Sequence, residues 1–225
     1  MNATLYGVGV GPGDPELMTL KACRLIRENQ VIAVPGRDPL QSVAYQIAVK
    51  AEPSLSGKTL ISIDMPMVRD KAKLHQYHKT GAAELEKWLD KGMNVIFLTL
   101  GDPCIYSTFS YLREIVSADG YQTELVSGIP SFCAAAARLN TSLAEGSEPL
   151  HILPVSGCRD LTFDQPGNYV LMKSGSCMSD VKEAVRKSGR TAAAVENCGM
   201  ENEKIYADAA KIPDRTGYFS LVIVR

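Results

Sequence analysis

Three short segments rich in glycine and proline contain the residues whose types and spacing point most clearly to chemistry. They are residues 9–15 (GVGPGDP), 100–108 (LGDPCIYST) and 127–131 (SGIPS). Each directly follows an apolar run that reads as a strand. Glycine lets the backbone approach a ligand closely, and proline stiffens the chain. A single such segment would be an ordinary turn, but three of them at strand ends predict a ligand site, because ligands bind beyond the carboxyl ends of parallel strands.

Other patterns that could carry chemistry fail on spacing. The Gly-Lys-Thr at 57–59 lacks the earlier glycine of a phosphate-binding loop, because position 52 is Glu52. A dinucleotide fingerprint fails where Asp14 stands in place of its third glycine. The pair His75 and His78 predicts a solvated helix face rather than a metal site, and no Cys-x-x-Cys pair occurs. We therefore expect no metal.

Composition and charge exclude several classes of protein. Lys plus Arg number 24 against 25 Asp plus Glu, for a net charge of −1, so the basic excess of a nucleic-acid binder is absent. No run of 18 apolar residues occurs, which excludes a spanning helix. The N-terminal residues lack the charged and apolar regions of a secretory signal. We expect a cytoplasmic protein without nucleic-acid or membrane partners.

Apolar strand-like runs alternate with helical patterns along the chain. The alternation is typical of an α/β protein with largely parallel sheets. The predicted strands are 4–10, 31–34, 59–63, 94–100, 122–126, 151–154, 168–172, 191–195 and 218–224. The predicted helices are 15–28, 41–50, 71–89, 106–117, 131–139 and 178–187. A polar turn at 118–120 suggests two domains, 1–118 and 119–225, with a second cycle of strands starting near Gln122.

Residues 8–15 (VGVGPGDP), 99–112 (TLGDPCIYSTFSYL) and 126–138 (VSGIPSFCAAAAR) carry a resemblance. They are similar to the tetrapyrrole (cobalamin-type) methyltransferase family, and the likeness extends over almost the whole chain. The resemblance implies two consecutive α/β domains with S-adenosylmethionine in a cleft between them. It also implies a homodimer and a tetrapyrrole substrate.

The resemblance further implies which residues bind the cofactor. They are Pro12, Gly101, Asp102, Pro103, Ile105, Tyr106, Ser107, Thr108, Pro130, Ser131 and Met172. Many relatives have Thr where this chain has Pro130, so a backbone contact survives there and a hydroxyl contact does not. Asp102 could serve the cofactor's ammonium group or close the turn, and both roles stay open. The stretch 195–199 (VENCG) matches a later loop near the adenine.

Among the branches of the family, the chain resembles the one that methylates C20 of precorrin-2. The motifs Thr-Leu-Gly-Asp-Pro (99–103) and Tyr-Ser-Thr (106–108) resemble the cobalt-dependent type of that enzyme. The expected reaction is methyl transfer to C20 of cobalt-precorrin-2. The alternatives are the metal-free ring, another ring carbon, and a non-catalytic binder that kept the fold. Because the donor's sulfonium is already activated, no side-chain nucleophile is needed. No general base is evident, so the catalytic residue is unknown.

A substrate with eight carboxylates calls for cations on the surface that binds it. The basic residues near strand ends or predicted cleft loops are Arg37, Arg138, Arg159 and Lys173. Two tyrosines, Tyr106 and Tyr111, face either the ring or the core.

Overall fold

The chain forms two compact units, Met1–Pro130 and Ser131–Arg225, each with its own five-stranded sheet. The structure, a computed structural model, describes residues 3–66, 68, 70–155 and 161–225. Within these ranges, no helix combines the length and the apolar character needed to cross a bilayer.

The sheet of the first unit is parallel throughout. Its strands are β1 (Thr4–Gly9), β2 (Val31–Pro35), β3 (Thr59–Ile63), β4 (Val95–Thr99) and β5 (Gln122–Val126), in the order β3-β2-β4-β1-β5. Every residue of β4 is buried, as expected of a strand covered on both faces. Two apolar clusters, one on each side, form the core.

Four α-helices connect these strands: α1 (Leu20–Glu28), α2 (Val43–Ala51), α3 (Lys71–Leu89) and α4 (Phe109–Ala118). Side chains fix where two of them begin. The Thr19 hydroxyl accepts a hydrogen bond from the N–H of Ala22, and Asp70 accepts from two N–H groups of the first turn of α3. The predicted helix 15–28 is therefore divided, with a short 3-10 turn at Pro15–Leu17 before α1.

The second unit contains α5 (Ser131–Arg138), β6 (Leu150–Pro154), β7 (Asn168–Met172), α6 (Met178–Ser188), β8 (Ala192–Glu196), β9 (Lys204–Tyr206) and β10 (Ser220–Val224). The strand order is β6-β7-β10-β8-β9. Among the strands that the structure describes in this unit, only β6 and β7 pair in parallel, and the other pairs are antiparallel. The expectation of largely parallel sheets is thus wrong for this unit, because no α-helix separates β8, β9 and β10 in the chain.

The predicted boundary between residues 118 and 119 is also wrong. Strand β5 pairs in parallel with β1, from Thr4 opposite Gln122 to Val8 opposite Val126. A parallel pair needs a crossover connection, and α4 supplies it. The polar turn after α4 therefore lies inside the first unit. The boundary falls after Pro130, and β5 completes the first sheet rather than starting a second cycle.

Candidate functional site

The three glycine-rich segments follow three neighbouring strands. Residues 10–15 come after β1, residues 100–108 after β4, and residues 127–130 after β5. Since β4, β1 and β5 are adjacent and parallel, their carboxyl ends share one edge of the sheet. We call these segments loop 1, loop 2 and loop 3. The expectation that they lie together is confirmed.

Loops 1 and 2 are joined by a small antiparallel bridge between two glycines. The N–H of Gly101 donates to the carbonyl of Gly11 at 2.8 Å, and the N–H of Gly11 donates back at 3.3 Å. Both residues have positive φ, 75° for Gly11 and 71° for Gly101. Glycine adopts this region without the steric cost that other residues meet, so this bridge explains two of the glycines.

Loop 3 packs directly on the backbone of loop 2 and of the last residue of β1. A Cβ placed on Gly9 would lie 2.5 Å from the carbonyl oxygen of Gly101 and 2.8 Å from the Cα of Gly128. A Cβ on Gly128 would collide with the same carbonyl. The three loops therefore meet through backbone atoms, at a separation that leaves no room for side chains.

Asp102 connects loop 2 to loop 3 and is 6% exposed. Its Oδ1 accepts from the N–H of Cys104 at 2.7 Å. Its Oδ2 accepts from the N–H of Gly128 at 2.9 Å and from the Ser127 hydroxyl. Burial alone raises the pKa of Asp102, but the bonds from Ser127, Cys104 and Gly128 outweigh it and hold the pKa below its usual value. These contacts support the turn-closing role over a contact with the cofactor's ammonium group.

The outer part of loop 2 is more accessible than its base. Cys104, Tyr106 and Thr108 are exposed, whereas residues 101–103 are buried. Tyr106 has a φ of 48°, which prevents α4 from starting there, so the prediction of a helix from 106 is wrong. The Ser107 hydroxyl shares a hydrogen bond with the Thr99 hydroxyl at 3.0 Å and accepts from the N–H of Phe109 at 3.2 Å. Ser107 therefore anchors the loop just before α4.

The remaining predicted cofactor residues are divided between the two units. Pro12 is buried in loop 1, and Ile105 and Pro130 are half-buried. Ser131 begins α5, and Met172 ends β7, where its carbonyl accepts from the N–H of Val155 at 2.7 Å. For all of these residues, contact with a cofactor stays a prediction.

Two of the basic residues proposed for ring carboxylates form ion pairs within the protein. Arg37 pairs with Asp64 at 3.1 Å. Arg138 pairs with Glu203 at 2.7 Å, next to the loop after β8. Lys173 follows β7 with a φ of 59°, and Arg159 lies outside the described residues. Ion pairs of this kind would have to exchange partners to bind a substrate.

The prediction of a solvated face at His75 and His78 is half wrong. His75 is exposed, but His78 is 5% exposed and stacks on Tyr111 of α4, with ring centroids 4.7 Å apart and planes 7° from parallel. The spacing contained a signal for this burial. His78 lies four residues after Leu74 and seven before Leu85, and therefore on the apolar stripe of α3. Across the parts of the chain that are described, no cluster of three metal-binding side chains occurs.

Comparison with known proteins decides the family. The family model Tetrapyrrole (Corrin/Porphyrin) Methylases matches residues 4–213. The chain belongs to the tetrapyrrole methylase family. It is a methyltransferase that uses S-adenosylmethionine, with the α/β fold expected from the resemblance.

Relatives of this methyltransferase span nearly its full length. A Methanocaldococcus jannaschii protein named probable cobalt-precorrin-2 C(20)-methyltransferase is 33% identical, over 98% of this chain and 95% of its own. A Sinorhizobium precorrin-2 C(20)-methyltransferase is 29% identical, over 98% and 94%. The solved structure of a cobalt precorrin-4 methyltransferase matches with a TM-score of 0.74 at 18% identity, covering 98% of this chain and 94% of that one. This last likeness shows the fold.

The loops of the methyltransferase suit a positively charged donor. Loops 1, 2 and 3 contain no Lys or Arg and two aspartates, Asp14 and Asp102. A sulfonium and an ammonium group would therefore meet carbonyl oxygens and hydroxyls in loops whose formal charge is negative, with no cation of these loops to repel them. The residues present fit the cofactor that the family uses.

Proposed function

We propose that this enzyme transfers a methyl group from S-adenosylmethionine to C20 of cobalt-precorrin-2, in cobalamin biosynthesis. One observation carries the proposal: the full-length relative at 33% identity is named for this reaction. The motifs Thr-Leu-Gly-Asp-Pro (99–103) and Tyr-Ser-Thr (106–108) resemble those of the cobalt-dependent C20-methyltransferases and support the same reaction.

The proposed cofactor site is built on loops 1, 2 and 3. Backbone groups next to Pro12, the rim from Ile105 to Thr108, and Pro130 would hold the donor, while Asp102 holds the loops together. Ser131 and Met172 of the second unit remain in the proposal as further cofactor contacts.

The bound donor would supply a methyl group on a positively charged sulfur, which a carbon nucleophile can take directly. The protein has to align the donor with an electron-rich meso carbon and exclude other orientations. Orientation of this kind can be worth on the order of 7–11 kcal/mol of the barrier. Rigid loops joined backbone to backbone suit that task.

The metal-free ring is the second candidate substrate. It is favoured by the Sinorhizobium relative, which is named for precorrin-2 and is 29% identical over nearly the whole chain. The two candidates differ in whether cobalt is present before methylation, and the same loops would serve either substrate.

Methylation with a ¹³C-labelled methyl donor tests the proposal. The enzyme is offered precorrin-2 with and without cobalt, and the new carbon is located by NMR. We expect label at C20, with faster turnover of the cobalt-bound ring. Label at another carbon would refute the regiochemistry, and faster turnover of the metal-free ring would favour the second candidate.

A calorimetric titration with S-adenosylmethionine distinguishes a methyltransferase from a non-catalytic protein of the same fold that no longer binds the methyl donor. We expect S-adenosylmethionine to bind, and no binding at millimolar concentration would remove both candidate reactions. The homodimer and the cytoplasmic location remain predictions.

A further inference from the structure

A cavity of about 310 Å³ lies in the first unit, at the same end of the sheet as the three loops. Its lining includes Met65, Pro66, Leu74, His78, Thr108 and Tyr111. Met65 and Pro66 follow β3, Leu74 and His78 belong to α3, and Thr108 is the last residue of loop 2. The cavity therefore adjoins the proposed cofactor loops, and its size is within the range of small-molecule sites.

The lining is mostly apolar, and His78 is its one imidazole. Neither ring nitrogen of His78 has a hydrogen-bond partner among the residues that the structure describes, although the residue is 5% exposed. These nitrogens are not among the buried side-chain atoms that lack a partner, so they are accessible, and a molecule in the cavity that His78 lines can bond to them. Stacking on Tyr111 holds the ring in place.

The surroundings of His78 favour its uncharged form. Burial lowers its pKa, and the charge of His75, one turn earlier on α3, lowers it further. From α4 the phenol of Tyr111 stacks on it, and from the segment after β3 the cavity is lined by Met65 and Pro66. A neutral imidazole can accept a proton, whereas the Thr108 hydroxyl is a very weak base.

We propose that the cavity receives the meso edge of the tetrapyrrole and that His78 accepts the proton which leaves the methylated carbon. The inference rests on the proposed function, because it needs a methyl group to arrive at a meso carbon that carries hydrogen. The apolar lining suits the edge of a flat conjugated ring, and it leaves the carboxylates at the periphery to other residues.

The atoms and electrons of this step balance. A carbon–carbon bond forms between the meso carbon and the methyl group, the donor's sulfur–carbon bond breaks, and S-adenosylhomocysteine is released. The meso carbon then carries both methyl and hydrogen next to a cationic conjugated system. When its C–H bond breaks, the electron pair returns to that system and the proton passes to His78, then to water. Such a carbon is acidic enough for a neutral imidazole to accept its proton, whereas water is a much weaker base.

The variant His78→Gln tests the role, with His75→Gln as a matched control on the same helix. The single-turnover rate at which the meso hydrogen leaves the methylated ring, followed by release of deuterium from a ring labelled at that carbon, and the affinity for S-adenosylmethionine are measured for both. General-base catalysis typically contributes about 10²–10⁴-fold. We expect a loss of roughly 100-fold or more for His78→Gln, with donor affinity little changed and the control near the wild type. A His78→Gln rate close to that of the control would overturn the proposal.

A second variant separates proton transfer from packing. In His78→Ala, added imidazole should restore the rate, because the shortened side chain leaves space for it at the cavity wall. Rate loss without rescue in a protein that binds the donor normally would assign His78 to packing and overturn the proton-acceptor role.

The wild-type enzyme supplies a test that needs no variant, because the chain has three histidines. With S-adenosylhomocysteine bound, the substrate should shift the imidazole NMR signals of His78 and leave those of His151 in place. An unmoved His78 would overturn the proposal even if the variants failed to fold. Failure of the wild type to methylate any ring would refute the proposed function. An active enzyme indifferent to His78→Gln would refute the inference alone.

Discussion

At the scale of single residues, the hydrogen bonds of Asp102 explain why loop 2 has an aspartate at this position. Its carboxylate accepts from two backbone N–H groups and one hydroxyl, on both sides of the junction between loops 2 and 3. A carboxylate has the lone pairs to accept all three bonds, and an amide or a methyl group does not. Asp102 is therefore a positioning residue of the proposed donor site.

Replacing Asp102 with Ala or Asn should weaken donor binding. Ser127 and two N–H groups would lose their acceptor, and loop 3 would no longer be tied to loop 2. We expect the dissociation constant of S-adenosylmethionine, measured by calorimetry, to rise at least tenfold, or about 1.4 kcal/mol. Asp38→Ala is the control, since that exposed carboxylate accepts from one N–H at a surface turn. Equal affinity in the Asp102 variants would reduce loop 2 to an ordinary turn.

Gly9→Ala tests the close packing of the loops. The new methyl group would meet backbone atoms of Gly101 and Gly128, which follow β4 and β5 closely and cannot yield as a flexible side chain would. Overpacking of this kind typically costs about 1–3 kcal/mol, and urea unfolding measures it. Gly57→Ala is the matched control, because a Cβ there meets nothing within 4 Å. If the two variants were equally stable, the packing described for the loops would be wrong.

The pKa of Glu86 is shifted in the opposite direction to that of Asp102. One of its carboxylate oxygens is buried and has no hydrogen-bond partner within the described chain. Burial raises the pKa of Glu86, and the negative charges of Asp119 and Asp90 raise it further. Because the folded pKa lies above the unfolded one, ionisation of Glu86 costs stability as the pH rises through the folded value.

The variant Glu86→Gln should therefore be more stable than the wild type at pH 7, by about 1 kcal/mol. This gain in stability should vanish at a pH below 4.5, the ordinary pKa of glutamate. There Glu86 is protonated in both the folded and the unfolded wild type. Urea unfolding of the variant and the wild type, at pH 7 and at several acidic pH values, measures the difference in stability. A gain that persisted unchanged in acid would exclude ionisation as its cause.

At the scale of elements, the first residue of α4 fixes the helix that follows loop 2. The Phe109 ring is fully buried, lies 5.2 Å from the ring of Phe97 on β4, and occupies the space where a side chain at Gly7 of β1 would be. The Phe109 ring thus fills the space that the missing side chain of Gly7 leaves. Their packing holds α4, and with it loop 2, against the middle of the sheet.

Shortening this side chain should destabilise the first unit strongly. Truncation of a buried Phe to Ala typically costs about 3–5 kcal/mol, and we expect a loss of that size in the free energy of unfolding of Phe109→Ala. Leu20→Ala serves as control, because Leu20 is 90% exposed at the start of α1. A loss similar to the control's would mean that Phe109 does not anchor α4.

At the scale of the whole molecule, the strand and helix patterns were enough to predict most elements and the meeting of the three loops. Local periodicity reports how a segment is buried, and turn residues mark where it ends. The predicted strand 59–63 and helix 71–89 have the observed bounds. Strand β9, with three residues and little burial, has too weak a pattern to be recognised.

What the sequence could not supply were pairings between distant segments. Nothing local distinguishes a strand that completes one sheet from a strand that starts the next, so the sequence alone does not show that β5 belongs to the first unit. The stacking of His78 depends in the same way on Tyr111, which lies far along the chain. The hydrogen bonds of Asp102 likewise require loop 3, which meets loop 2 only after the sheet forms.

A crystal structure of the enzyme with S-adenosylhomocysteine tests the central claim most directly. We predict that the ligand lies against loops 1, 2 and 3, in contact with the rim of loop 2 and with loop 3 next to Pro130, while Asp102 keeps its bonds to Ser127 and Gly128. Binding at any other place on the protein, with these loops empty, would contradict the account.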